Sequence, residues 1–154
     1  MCGIAAVFRA DAEPGEGITE AVVRMTDCQR HRGPDAGAEV RGEYGAWAYG
    51  LGHRRLSIQD LSEAGAQPMR DPETGDLLVF NGEIYNAPAL RRRLEEQKPD
   101  LMWRGHSDTE VLLQGLIGEG ADFLRQVEGM YAFVWWRPSA GRLVLGRDPL
   151  GIKP

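Results

Sequence analysis

The chain has 154 residues, 42% apolar and 27% charged, with a formal net charge of −5. That length suits one soluble domain, able to bury roughly 70% of the surface its unfolded form exposes, and the acidic balance argues against a nucleic-acid or anionic-membrane binder. Two cysteines, Cys2 and Cys28, are too few for a disulfide framework and point to a reducing, cytoplasmic setting, while no apolar run approaches the roughly 20 residues of a membrane span. In chain order, residues 2–8 read as a buried strand and residues 10–17 as a loop. Ile18, Ala21, Val22, Met25 and Cys28 follow helical spacing, so a helix is expected to about Arg30, with Thr19 as its cap and Cys28 on its buried face. Residues 31–37 form a tight charged loop, because Pro34 biases Gly33 away from helix. Two strands, 38–41 and 44–50, are expected to turn at Gly42-Glu43.

Further along, Arg55 must point opposite to Arg54 and Leu56 in a strand, so one arginine can face a cavity while the other faces water. Residues 61–76 read as a long polar loop, and 77–81 as an apolar strand ending at Asn81-Gly82-Glu83. Asn86 is expected to cap a helix that starts near Pro88 and runs to about Gln97. A short strand at Leu101–Arg104 should follow. Ser107 with Glu110 three residues on has the form of a capping box opening another helix, to about Gly118. A further turn or two spans Ala121 to Val127. Two strands, Met130–Trp136 and Arg142–Arg147, flank a hairpin turn at Pro138–Gly141. Strands alternating with two or three helices, without a βαβ rhythm, indicate an α+β protein with antiparallel sheets and outer helices.

Two stretches carry chemistry. Cys2 directly follows Met1, which an aminopeptidase is expected to remove before so small a side chain. The product has a thiol and a free α-amine on one carbon, with reference pKa values of about 8.5 and about 8. A nucleophile with an adjacent base of matched pKa is what covalent catalysis requires. The same cysteine is also compatible with a small buried hydrophobe. Asn81-Gly82 offers a side-chain amide and a backbone N–H side by side, the donors of an oxyanion hole. An ordinary Asn-Gly hairpin turn reads the same dipeptide equally well.

The motifs Cys2-Gly3-Ile4, His31-Arg32-Gly33-Pro34-Asp35, His53-Arg54-Arg55-Leu56-Ser57-Ile58, Gly65-Ala66-Gln67-Pro68, Phe80-Asn81-Gly82-Glu83-Ile84-Tyr85-Asn86, Ser107-Asp108-Thr109-Glu110, Gly129-Met130-Tyr131-Ala132-Phe133 and Gly146-Arg147-Asp148-Pro149-Leu150-Gly151-Ile152-Lys153-Pro154 occur in that order along the chain. Together they resemble the N-terminal class II glutaminase domain of glutamine-dependent asparagine synthetases. The resemblance implies a four-layer αββα N-terminal-nucleophile hydrolase fold over residues 2–154, incomplete at its C-terminal end. It implies hydrolysis of glutamine to glutamate and ammonia through a Cys2 thioester, with Asn81 and Gly82 holding the oxyanion. Arg55 matches the residue that holds the α-carboxylate of glutamine, Glu83 and Asp108 those that receive its α-ammonium, and the backbone near Leu56 and Ile58 lines the pocket.

No cofactor or metal is implied for this domain. ATP and Mg are implied for an absent synthetase domain, in cis or on a separate chain, that amidates aspartate to asparagine. Consistent with that absence, the chain has no Ser-Gly-Gly pyrophosphate loop and no Gly-Lys-Ser/Thr phosphate loop. The resemblance predicts a cytoplasmic protein, leaves a homodimer open, and involves neither nucleic acid nor membrane. An acceptor other than aspartate, or a non-catalytic glutamine-binding or docking module, are the alternative readings.

Overall fold

The computed structural model describes residues 2–10, 16–56 and 62–154. Its strands are β1 (Gly3–Ala10), β2 (Ala36–Tyr44), β3 (Trp47–Arg55), β4 (Met69–Arg70), β5 (Leu77–Ile84), β6 (Gly129–Arg137) and β7 (Arg142–Arg147). Its α-helices are α1 (Glu16–Cys28), α2 (Ala87–Gln97) and α3 (Asp108–Glu119). The strands form two antiparallel sheets, one in the order β1-β3-β2 and the other β4-β5-β6-β7. This is the expected α+β architecture, and packing arranges it in four layers. Helix α1 covers the outer face of the first sheet, the two sheets face each other, and α2 and α3 cover the outer face of the second. No helix among the described residues is long and apolar enough to cross a membrane.

Strand alternation decides which residues enter each layer. On β3, Tyr49 and Leu51 point between the sheets, whereas Gly50 and Gly52 point toward α1. A Cβ on Gly52 would lie 2.1 Å from the Thr26 hydroxyl, so the bare backbone is what lets α1 approach. The buried face of α1 is therefore Ile18, Val22 and Thr26, spaced four apart. Thr26 is buried at no polar cost because its hydroxyl donates to the Val22 carbonyl at 2.7 Å. Two positions beyond Thr26 is the opposite side of a helix, so Cys28 is exposed rather than buried. Thr19 lies inside the helix, not at its cap.

The space between the sheets changes character along its length. At one end Phe8, Tyr44, Tyr49 and Trp136 pack ring against ring, with centroids 5.3–5.9 Å apart. Leu51, Val79 and Val134 fill the middle. Continuing along the same inward faces, β1 reaches Ile4 and then Cys2, β3 reaches His53 and Arg55, and β5 reaches Asn81 and Glu83. The apolar half seals the sandwich, and polar side chains gather where it opens.

Several local expectations shift, each for a physical reason. The β2–β3 turn falls at Gly45-Ala46 rather than Gly42-Glu43, because Gly45 is the residue that takes a positive φ, +58°. The strand at 77–81 continues to Ile84, so Asn81-Gly82 is neither a hairpin turn nor a strand end. The presumed loop at 61–76 contains the short strand β4. Asn86 holds the N-cap position of α2 as expected, but its side chain serves elsewhere: its amide donates to the Gln126 carbonyl at 2.7 Å and accepts from Glu128 N–H at 3.0 Å. No strand forms at 101–104, because Arg104 and Gly105 donate their N–H groups to the Glu110 carboxylate at 2.8 and 2.9 Å. The Ser107 cap is present, its hydroxyl accepting from Glu110 N–H at 3.3 Å.

Candidate active site

Cys2 sits at the mouth of the inter-sheet space, half-buried. Its thiol receives the Leu56 N–H at 3.5 Å and lies 3.8 Å from the Leu56 carbonyl, so the backbone that ends β3 holds the sulfur. Gly3 follows because Gln29 lies over it: a Cβ there would be 2.7 Å from the Gln29 amide oxygen. Gln29 in turn donates to the Ile4 carbonyl at 3.0 Å. The charged turn after α1 wraps the end of β3 through Asp35 N–H to the Arg55 carbonyl at 3.1 Å. That brings Arg32 to Cys2, where its Nε donates to the Cys2 carbonyl at 3.2 Å.

Arg54 and Arg55 take opposite faces. Arg54 turns to α1, donating to the Thr26 carbonyl at 3.2 Å and pairing with Asp27. Arg55 shares the inward face with His53, is half-buried, and donates through Nη1 to the Ser62 carbonyl at 2.9 Å. The first sheet thus contributes Cys2, Leu56 N–H and Arg55. Ile58 lies outside the described residues.

The second sheet contributes the facing wall. Asn81 is buried and its amide has no hydrogen-bond partner among the described residues. The direction of the Gly82 N–H follows from its partner in register, Tyr131. Tyr131 directs both its N–H and its carbonyl at Asp148, away from β5. An antiparallel pair exchanges both bonds or neither, so Gly82 turns its N–H away from β6, toward the open edge of β5. Beyond Gly82, Ile84 N–H donates to Asp108 Oδ2 at 3.0 Å. Asp108 stands at the start of α3, 8% exposed. Its burial, with the Glu83 charge adding to it, raises its carboxyl above the usual carboxylate range.

Glu83 and Asp108 line a cleft of about 570 Å³, with Tyr85, Pro88, Arg91 and His106 among its walls. Two carboxyl groups sharing one concavity set up a site for a cation. Arg91 shapes its rim, stacked 4.3 Å from the Trp103 ring and donating to the Gly105 carbonyl at 2.9 Å. Cys2, Arg55 and Asn81 lie outside this cleft's lining, along the inter-sheet mouth. Among the described residues no three His, Cys, Asp or Glu side chains are grouped to hold a metal ion.

The glutamine amidotransferase domain family matches residues 1–154. The chain belongs to that family. As a glutamine amidotransferase domain it is similar to asparagine synthetase B (glutamine-hydrolysing) of Escherichia coli, 36% identical over all of this chain and 26% of the relative. It is 37% identical to asparagine synthetase (glutamine-hydrolysing) 1 of Bacillus subtilis, again over the whole chain but 23% of the relative. Amidase chry2 of Gibberella zeae is 34% identical over 99% of this chain and 23% of its own length. The domain thus spans about a quarter of the length of these curated relatives. In fold it matches the glutamine phosphoribosylpyrophosphate amidotransferase of B. subtilis, with a TM-score of 0.70 at 22% identity over 97% of this chain and 38% of that one. That likeness is one of fold, and it agrees with the two antiparallel sheets and their covering helices described above.

Arg32, His53 and Gln67 are the residues near this site to which the sequence alone assigns no role. The period of two along β3 carries a signal for His53, since it places that ring on the face of Arg55.

Proposed function

We propose that this domain hydrolyses the side-chain amide of glutamine to glutamate and ammonia through a thioester on Cys2. The observation that supports it best is the pairing of two walls at one mouth. A thiol held by Leu56 N–H stands on one sheet. On the other, an unpartnered amide at Asn81 and an outward N–H at Gly82 supply two donors for an oxyanion. Arg55 on the first sheet has the charge to hold the carboxylate of a free amino acid, and Glu83 with Asp108, in the cleft beside the mouth, the charges to hold its ammonium.

The chemistry follows from these groups. Removal of Met1 frees the Cys2 α-amine, which takes the thiol proton as sulfur attacks the amide carbon. The tetrahedral oxygen takes its negative charge between Asn81 Nδ2 and Gly82 N–H. The protonated amine passes its proton to the leaving nitrogen, which departs as ammonia. Water then adds to the thioester with the amine as base, and glutamate leaves as the thiol is restored.

Residues 2–154 are, in this reading, the ammonia-producing unit of an enzyme that amidates aspartate. The relatives named asparagine synthetase support the acceptor, and their greater length supports a second, ATP- and Mg-using synthetase unit. The free thiols of Cys2 and Cys28 fit a cytoplasmic setting.

Intact mass tests the proposal. The purified chain should lack Met1, gain one adduct from a glutamine-like diazoketone electrophile, and be protected by excess glutamine. Cys2→Ala should release no glutamate yet still bind glutamine. A chain that keeps Met1, or a Cys2→Ala variant with undiminished glutamate release, would overturn it.

A further inference from the structure

The open edge of β5 is occupied at nearly every step but one. Strand β4 pairs with β5 only through Leu77 and Leu78, so among the described residues no strand runs beside the backbone groups on that side from Phe80 onward. An unpaired edge is free to fray or to take water. Here side chains from other layers take its place. Phe80 N–H donates to Gln67 Oε1 at 2.6 Å. The Phe80 carbonyl accepts from the His53 ring, whose Nε2 has no partner, which leaves Nδ1 as the donor. Ile84 N–H is taken by Asp108. Gly82 lies between these ties.

The ties come from different parts of the fold. Gln67 is itself fixed by its amide donating to Thr109 Oγ1 at 3.2 Å, on the first turn of α3 beside Asp108. His53 comes from the opposite sheet, opposite Ile4 in register and two residues before Arg55. Cys2 and Arg55 are each two residues along from that Ile4–His53 pair. His53 therefore fastens the strand that carries the nucleophile's support to the residue immediately before Asn81. It is 1% exposed, and neither thiol nor substrate groups need it as a proton carrier.

We propose that His53 and Gln67 are positioning residues that fix the height of Gly82 N–H and Asn81 Nδ2 relative to the Cys2 sulfur, by pinning the two backbone groups of Phe80. The inference rests on the oxyanion role given above to Asn81 and Gly82. Displacement of a reacting geometry by about 1 Å can cost on the order of 100-fold in rate, so two pins next to the donors have leverage without touching substrate.

Two variants of one position separate this role from mere packing. The amide nitrogen of His53→Asn takes the place of Nδ1 and can still donate to the Phe80 carbonyl. That of His53→Gln takes the place of Nε2 and cannot. Glutamine hydrolysis by the full chain would be measured with each. So would the affinity of glutamate γ-semialdehyde, which adds reversibly to Cys2 as a thiohemiacetal whose oxygen occupies the oxyanion site. Glutamine affinity would be read separately on a Cys2→Ala background.

His53→Gln should lose at least about tenfold in kcat and in aldehyde affinity, with KM and glutamine affinity within about twofold. His53→Asn should recover most of both losses. Gln67→Met, which keeps length but removes the acceptor, should repeat the His53→Gln pattern. Equal behaviour of the Asn and Gln variants, or parallel loss of aldehyde and glutamine affinity, would overturn the proposal. Should His53→Gln fail to fold, a His53→Asn variant that folds but has lost kcat overturns it equally. Asn81→Ala, run alongside, tests the underlying reading: unchanged aldehyde affinity there would remove the oxyanion site itself, whatever His53 does.

Discussion

Acidification should destabilise this domain through one side chain. Burial pushes the His53 imidazole down from 6.5 to about 4, with the nearby Arg55 charge adding to the effect and the bond to the Phe80 carbonyl opposing it. The unfolded chain therefore takes up a proton below pH 6.5 that the folded protein refuses until about pH 4. Stability from this group is fully present above pH 6.5 and is lost as pH falls through that window. With those two values, the loss relative to neutral pH is about 2 kcal/mol at pH 5 and about 3 kcal/mol at pH 4. Urea unfolding at pH 7, 6, 5 and 4 reads it directly. At a slope near 2 kcal/mol/M, the midpoint should drop by about 1 M between pH 7 and pH 5.

His53→Asn has no proton to take up, and it keeps the bond to Phe80. Its midpoint should be nearly flat over the same interval. Asp108, whose carboxyl is raised, works in the opposite direction in both proteins and cancels in the comparison. If the variant loses as much stability as the parent between pH 7 and pH 5, the buried neutral imidazole is not the cause and the reasoning fails.

Two further outcomes follow from other residues. Asp108 is held above the usual carboxylate range by burial and then by Glu83, and its protonated form cannot attract an ammonium. Glutamine affinity, measured by calorimetry on Cys2→Ala, should fall as acid converts Asp108 to that form; Asp108→Asn should weaken binding and flatten the dependence. Glu110 is 1% exposed and satisfies the N–H groups of Arg104 and Gly105. Glu110→Ala should cost about 3 kcal/mol or more in urea unfolding, since it leaves donors stranded, whereas Glu110→Gln, with one acceptor left, should cost less.

Much of the architecture was legible because its signals are local. Continuous apolar runs mark β5 and β6, and the Ser107–Glu110 pair marks the start of α3. The candidate site residues stand out in the sequence because each sits in a short motif: the thiol of Cys2, the charge of Arg55, the amide of Asn81 beside Gly82 and Glu83, and Asp108 behind the Ser107 cap. What escaped has a common cause. Helical spacing places Cys28 on the buried face because it finds a stripe without fixing its centre, and the centre here is Thr26, whose hydroxyl is satisfied by its own helix. The 101–104 strand failed because its donors go to a carboxylate six and five residues ahead, a competition that no propensity records. His53 and Gln67 acquire meaning only once β4 is known to stop two residues into its pairing with β5. A strand's free edge is a property of the sheet, not of the segment.

One feature of the wall opposite Cys2 bears on how such a domain can decay. The outward donor at position 82 belongs to the main chain. Every amino acid but proline carries that N–H, so no ordinary missense change deletes it. A side chain at 82 would instead strike the Met130 carbonyl at 2.4 Å and the Phe80 ring at 2.8 Å, and so would disturb packing first. A descendant that abandoned catalysis would be free to lose its thiol and its charged triad, yet packing would still hold it to glycine here. An intact glycine at 82 is therefore weak testimony of a living enzyme, and Cys2 is the residue to ask.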